Sequence, residues 1–353
     1  MSIKPVRKKL TVKSVAEILG VSTATVSNAF NRPDQLSSEL RLKILEECTR
    51  IGYHGPNPAA RSLRTGATGV VGIMLAEKLT YNFSDPCAIE FLEGVSQVLD
   101  DARVNMLLMP GREEFYKEKS LESIPERYII YGPPKDMGLL DRIEGQQKPI
   151  VTVDFSLTNH LALNIDNYGG AKAAAQHVFN TTDGNVAVIG LRLSNKTNNE
   201  PLQPSDLLDP FISVSRQRLD AYLDASVEAG RPISFKRIRD TKKSSWSEGV
   251  AAARSALSEN PRPTSLLCMS DKLALAALSV AREMKIAVPE QLSIVGFDDT
   301  PAARVNHPAV STVYQPSLEK GRLAAMMVLN PDRFESRVLP TSLLIRETTK
   351  NLT

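Results

Sequence analysis

Cysteine is scarce in this chain. Only Cys48, Cys87 and Cys268 occur in 353 residues, odd in number and far apart. That argues against a disulfide framework or a cysteine-based metal site and fits a reducing compartment. Long apolar runs are missing as well, and none approaches the length of a membrane span, so no membrane partner is expected. The basic start, MSIKPVRKKLTVKSVAEI, has no apolar block behind it. A secretory signal is therefore not expected, and the cytoplasm is the expected location. The four histidines, at 54, 160, 177 and 307, show no metal-ligand spacing. No nucleophile motif appears, and GATGVVG at 66–72 fits neither a dinucleotide fingerprint nor a P-loop. Hence no catalytic residue, metal or cofactor is expected. No leucine heptads occur in the final LLIRETTKNLT, which favours a homodimer over a tetramer held by a helical tail.

What is present is the composition of an ordinary globular protein, 42% hydrophobic and 24% charged, with length enough for two or three domains. The formal charge of +3 conceals an asymmetry. Residues 1–66 hold eleven Lys and Arg against five acidic residues, a balance of +6, and the remainder carries −3. A basic head on a mildly acidic body points to a polyanion partner for the head; a solvated basic tail is the plainer alternative.

The head reads as three helices. TVKSVAEILG places Thr11 at an N-cap, Val12, Val15, Ala16 and Leu19 on one face, and Gly20 at the stop. VSTATVSNAFN restarts at once, with Ser22 as cap and Val26, Ala29 and Phe30 inward. A third helix carries Leu40, Ile44, Leu45, Cys48 and Ile51 at helical spacing. The tight turn at Gly20 is what a helix-turn-helix needs. Ser22, Thr23, Ala24, Thr25, Ser27 and Asn28 crowd the start of the second helix, where small hydroxyl and amide groups meet phosphates and base edges in a major groove. Thr11, Asn31 and Tyr53 complete the expected DNA face. Double-stranded DNA is the expected partner.

GPNPAARSLRTG, residues 55–66, is a short helix pattern with Asn57 as cap, Pro58 at the first helical position and Gly66 at the end. So short a helix is marginal alone. It sets Leu63 bare between Arg61 and Arg64. From residue 68 the pattern changes to short apolar, β-branched runs alternating with amphipathic helices. Some eleven strand candidates, SFKRIRD at 234–240 among them, suggest parallel sheets covered on both faces and divided between two α/β subdomains.

TVKSVAEILGVSTATVSNAFN, IGYHGPNPAARSLRTG, IVGFDDTPAA and PAVSTVYQP resemble the lactose-repressor (LacI/GalR-type) family of bacterial regulators, and the likeness runs through most of the chain. The resemblance implies an α/β periplasmic-binding-protein-like body of two doubly wound subdomains, with an all-α N-terminal helix-turn-helix head. It implies a DNA-binding head over 1–56 whose partner is double-stranded operator DNA, a hinge helix over 57–66, and an effector and dimerisation domain over 67–353. That domain divides into one subdomain of about 67–180 plus 317–338 and another of about 181–316 plus 339–353. It implies that Asn57, Ala60 and Leu63 meet the minor groove, Leu63 as a wedge that kinks the duplex. The alternative is a plain linker with Leu63 packed on the body. The span from Tyr53 to Leu63 is one residue longer here than in the best-known members.

The resemblance also maps an effector pocket for a small polar molecule of the sugar, polyol or nucleoside class onto Phe83, Asp85, Asp154, Arg218, Trp246, Ser270, Asp298 and Gln315. Arginine offers a fork of donors and ionised aspartate only acceptors, a pairing that reads vicinal hydroxyls. Asp154 has a turn role as its alternative and Trp246 a core role. Asp271 is expected to cap the helix starting at Lys272. The function so implied is a transcriptional regulator, expected to be a repressor, under small-molecule control. A solute-binding protein or a sugar-acting α/β enzyme with an accessory basic domain are the rivals.

Overall fold

The computed structural model describes residues 10–55, 68–111, 123–134, 137–195, 202–208 and 213–351. The chain divides into two compact units, Met1–Gly69 and Val70–Thr353. The first is the head and the second the body.

In the head, α1 (Val12–Leu19) opens on a capping box. Thr11 accepts from the Ser14 amide, and the Ser14 hydroxyl oxygen accepts from the Thr11 amide. Gly20 ends it in a left-handed turn, φ 65°, a conformation that costs glycine little. α2 (Thr23–Asn31) starts on Ser22, whose Oγ accepts from the Thr25 amide at 3.0 Å. α3 (Ser38–Arg50) starts on Ser37. Val15, Ala16, Val26, Ala29, Ile44, Cys48 and Tyr53 form the shared core. Leu40, in the first turn of α3, stands exposed, so the buried stripe of that helix begins at Ile44.

Among the described residues the body holds two six-stranded sheets with the same strand order. The first runs β2-β1-β3-β4-β5-β11, with β1 Val70–Leu75, β2 Asn105–Pro110, β3 Arg127–Tyr131, β4 Ile150–Val153, β5 Leu161–Ile165 and β11 Arg337–Leu339. The second runs β7-β6-β8-β9-β10-β12, with β6 Val186–Leu191, β7 Ile238–Thr241, β8 Ser265–Cys268, β9 Ser293–Asp298, β10 Ser311–Tyr314 and β12 Ser342–Leu344. Every pairing is parallel except β10 with β12. The strand expected over 234–240 begins only at Ile238, because Ser234 caps a single 3-10 turn at Phe235–Arg237.

Helices follow in chain order: α4 Leu79–Asn82, α5 Pro86–Asp101, α6 Met137–Glu144, α7 Asn167–Thr181, α8 Val214–Glu228, α9 Trp246–Leu257, α10 Asp271–Glu283, α11 Pro301–Val305 and α12 Ser317–Leu329. α5 and α12 cover one face of the first sheet through Phe91, Val95, Ala324 and Val328; α6 covers the other through Leu139, Leu140 and Ile143. α7 and α8 cover one face of the second sheet, and α9 and α10 the other. Buried on both faces, these strands read as continuous apolar runs such as VVGIML.

α5 and α12 touch backbone to backbone. A Cβ on Gly94 would stand 2.0 Å from the Leu318 carbonyl oxygen, and one on Gly321 2.0 Å from that of Phe91. Among the described residues the chain passes between the sheets three times: at Asp166, between Tyr314 and Ser317, and at residues 340–341. The first crossing corrects the expected subdomain boundary near 180. Ala171, Ala174, Ala175 and Val178 of α7 bury against the second sheet, so the second lobe begins at Asn167.

Candidate functional site

In the head, the residues expected at DNA cluster at one helix start. Ser22, Thr23 and Ala24 are exposed, and Thr25, Ser27 and Asn28 are half-buried. The Ser22 and Thr25 hydroxyls share a hydrogen bond at 2.8 Å, and Asn31 donates to the Ser27 carbonyl at 3.0 Å. A helix N-terminus with exposed hydroxyls suits phosphate. Thr11 is exposed but spends its hydroxyl on the capping box. Tyr53 differs from expectation. It is buried in the core, its ring edge-on to Phe30 at 5.8 Å, and its hydroxyl finds no partner among the described residues. Asn57, Ala60, Arg61, Leu63 and Arg64 lie outside the described residues.

In the body, the carboxyl ends of both sheets face one cleft, the place where α/β sheets hold small ligands. Six of the eight mapped residues line it: Asp85, Asp154, Arg218, Ser270, Asp298 and Gln315. Phe83 and Trp246 do not. Phe83 is 58% exposed at the end of α4, and Trp246 is 51% exposed as the first residue of α9.

Each polar group is placed by its element. Asp85 is the N-cap of α5, and its Oδ1 accepts from the Cys87 amide at 3.1 Å. Ser270 is the N-cap of α10 and accepts from the Leu273 amide. The cap expected at Asp271 is thus one residue early. Asp271 is fully buried and pins two distant segments instead, accepting from the Thr300 amide and the Thr312 hydroxyl. Burial pushes its carboxyl up to about 6.

Arg218, 6% exposed on α8, lies over the Phe297 ring at 3.5 Å. Its Nε donates to Asn167 Oδ1 at 2.9 Å and its Nη1 to the Met269 carbonyl at 2.7 Å, with Asp298 Oδ1 3.8 Å away. Gln315 Nε2 donates to the same Asp298 oxygen at 2.6 Å. Burial pushes the Asp298 carboxyl up to about 8, against the pull of the Arg218 guanidinium. Asp298 and Asp299 both adopt positive φ, 119° and 58°, so the turn after β9 holds uncommon backbone conformations beside the cleft. Burial also raises the Asp85 carboxyl and the Cys87 thiol.

The raised Asp298 has a consequence for stability. Between about pH 4 and about 8 the folded chain holds a proton there that the unfolded chain has released. Its contribution is therefore present at acid pH and lost as the pH rises through about 8. Urea unfolding across that range should show stability falling with pH more steeply in the parent than in Asp298→Asn. Parallel curves would refute this.

Sequence reasoning missed Lys320. It is 1% exposed in the first turn of α12, and its Nζ donates to both Asp154 oxygens, at 2.9 and 2.8 Å, and to Gln315 Oε1 at 3.2 Å. Asp154 takes positive φ, 63°, just past β4. A run of groups, Asp154, Lys320, Gln315, Asp298 and Arg218, thus spans the cleft floor from one sheet to the other. The available signal was a lysine inside the apolar stripe Ser317, Gly321, Leu323, Ala324, Met327 and Val328. Tyr81, Tyr131 and Asn167, also on the wall, carried no such signal.

Among the described residues, no His, Cys, Asp and Glu side chains group to hold a metal ion, and no helix is long and apolar enough to cross a membrane.

Comparison with known proteins agrees with this architecture. Residues 209–349 match the model of a periplasmic binding protein-like domain. An HTH-type transcriptional regulator of Mycolicibacterium smegmatis is 35% identical over 335 residues, covering 92% of this chain and 91% of the relative. A structure of the lac repressor dimer bound to operator and the anti-inducer ONPF has a TM-score of 0.75 at 22% identity, covering 97% of this chain and 99% of that one. A structure of the transcriptional regulator CelR in complex with cellobiose has a TM-score of 0.67 at 24% identity, covering 96% and 100%. The extent of the first match, over head and body alike, makes this chain a member of the LacI family of DNA-binding transcriptional regulators.

Proposed function

We propose that a small, uncharged polyhydroxylated effector binds in the cleft between the two sheets and thereby controls the grip of the head on its operator. The observation that carries the reading is the convergence of Asp85, Asp154, Arg218, Ser270, Asp298 and Gln315, drawn from both sheets, on one cavity. Arg218 supplies a fixed donor fork, Gln315 an amide, and the aspartate side chains oxygens, with the protonated Asp298 carboxyl able to donate as well as accept. The complex of CelR with cellobiose supports the ligand class.

In this reading the protein acts as a homodimer, as the lac repressor does on its operator. Residues 57–66 form the hinge, with Leu63 as the apolar wedge that exchanges unstacking energy for the contacts of a bent duplex. The protein is a binder rather than an enzyme. Its one thiol on the cleft wall, Cys87, is held as a thiol by burial and is a poor nucleophile.

Effector and operator are linked: whatever factor the ligand applies to DNA affinity, DNA applies to ligand affinity. The test is a thermal-shift screen of sugars, polyols and nucleosides on the full chain, followed by operator retention with each stabilising compound. The expected result is a compound that raises the melting temperature and changes operator affinity in the same concentration range. A stabilising compound that is converted to product, or that leaves operator affinity untouched, would count against the reading.

A further inference from the structure

Besides the three crossings and the run of groups on the cleft floor, the two lobes meet at two hooks. We infer that Arg192 and Lys272, cations of the second lobe, are positioning residues that hold the first-lobe segment 77–85 across the cleft and so set the separation of its two walls.

The first hook is an ion pair. Arg192, just past the end of β6, donates through Nη1 to Glu77 Oε1, just past the end of β1. The two strands hold the same place in their sheets, beside the point where strand order reverses. Both side chains are partly shielded, 32% and 18% exposed, so water screens the pair less than it screens a surface pair. Arg192 also takes a left-handed backbone, φ 54°, fixed by its amide donating to the Thr241 carbonyl at 2.7 Å. A non-glycine residue in that region needs its surroundings to hold it there. The second hook is Lys272, in the first turn of α10, whose Nζ donates to the Ser84 carbonyl at 3.0 Å.

Both hooks grip one short piece of chain, which is internally braced. Asn82, buried, donates through Nδ2 to the carbonyls of Glu77 at 3.1 Å and Lys78 at 3.0 Å. The Ser84 hydroxyl donates to the Tyr81 carbonyl at 2.8 Å, and the Phe83 amide to that of Leu79 at 2.9 Å. A braced piece held at both ends moves as a unit. It carries Tyr81 and ends at Asp85, both on the cleft wall, opposite Arg218 and Asp298. Both donors belong to the second lobe and both acceptors to the first, so separation of the lobes breaks the two hooks together. Any tilt of this wall changes the distance between the acceptors of Asp85 and the donors of Arg218.

The functional meaning of the hooks rests on the effector-cleft reading, but their test needs no effector. Asp101 on α5 and Ser258 after α9 are exposed, one on each lobe, and the native thiols of Cys48, Cys87 and Cys268 are buried. Asp101→Cys and Ser258→Cys therefore accept spin labels selectively. Labelled full-length chain, diluted into unlabelled chain, gives the lobe-to-lobe distance by double electron–electron resonance. The parent should give one narrow distribution. Glu77→Gln, Arg192→Met and Lys272→Met should each lengthen or broaden it, and Arg192→Met with Lys272→Met should do so more than either alone. The exchange Glu77→Arg with Arg192→Glu should restore the parent distance, which loss of packing alone would not do. An unchanged distribution in the Arg192→Met, Lys272→Met protein, or an exchange that fails to restore it, overturns the inference. Altered distances in a protein that answers to no effector would instead count against the effector-cleft reading and leave the hooks standing.

Discussion

Lys320→Met should destabilise the folded chain by about 3–5 kcal/mol, the range found when one partner of a buried ion pair is removed. The ammonium is 1% exposed and makes three hydrogen bonds, two to Asp154 and one to Gln315. Methionine fills the same space but leaves the Asp154 carboxylate without its counter-charge at a largely shielded site, 17% exposed. It also frees the Gln315 amide on the side that Lys320 had fixed. The companion variant is Lys320→Met with Asp154→Asn. It removes both charges and tolerates the left-handed backbone at position 154, since asparagine enters that region readily. Most of the lost stability should return in it. Urea midpoints of the two proteins measure the difference, with the slope of the transition as a check that the unfolded state is unchanged. A single variant within about 1 kcal/mol of the parent would mean that solvent reaches the pair and screens it.

Gly94→Ala should cost about 3 kcal/mol or more, at the upper end for overpacking. The added methyl would sit 2.0 Å from the Leu318 carbonyl oxygen and 2.9 Å from the Arg322 amide nitrogen. Both are backbone atoms of α12, so no side chain can swing aside. The helices must part, opening the layer in which Phe91, Val95 and Ala324 are packed. Because α12 carries Lys320 in its first turn, its displacement also disturbs the cleft floor. Gly321→Ala meets the Phe91 carbonyl from the other side and should behave alike. Scanning calorimetry on the two variants tests this; a loss of only a few tenths of a kcal/mol would show that the helices yield cheaply.

Much of this was legible in the sequence wherever the cause is local. Thr11 and Ser22 were readable as caps because a hydroxyl meets an amide three residues on. The strands were readable because runs such as VVGIML are buried on both faces. Causes that span the chain were not. Asp154 and Lys320 are 166 residues apart, and neither side of the pair announces the other. Asp271 looked like a cap because its true partners, Thr300 and Thr312, are far along the chain. The lobe boundary slipped from Asn167 to about 180 because periodicity gives the buried face of α7 but not the sheet it covers. Phe83 and Trp246 were placed by family likeness, and the structure leaves both rings largely in solvent, off the cleft wall.

The three crossings carry a mechanical consequence. Two of them are tied to each other, the Thr341 hydroxyl donating to the Asp166 carbonyl at 2.9 Å and the Asp166 amide to that of Leu339 at the same distance. A joint of three short strands can bend or twist but cannot slide, so thermal motion of the body is channelled into very few degrees of freedom. Cutting the chain at any one crossing leaves two intact tethers. A nick there should loosen the joint without releasing either half.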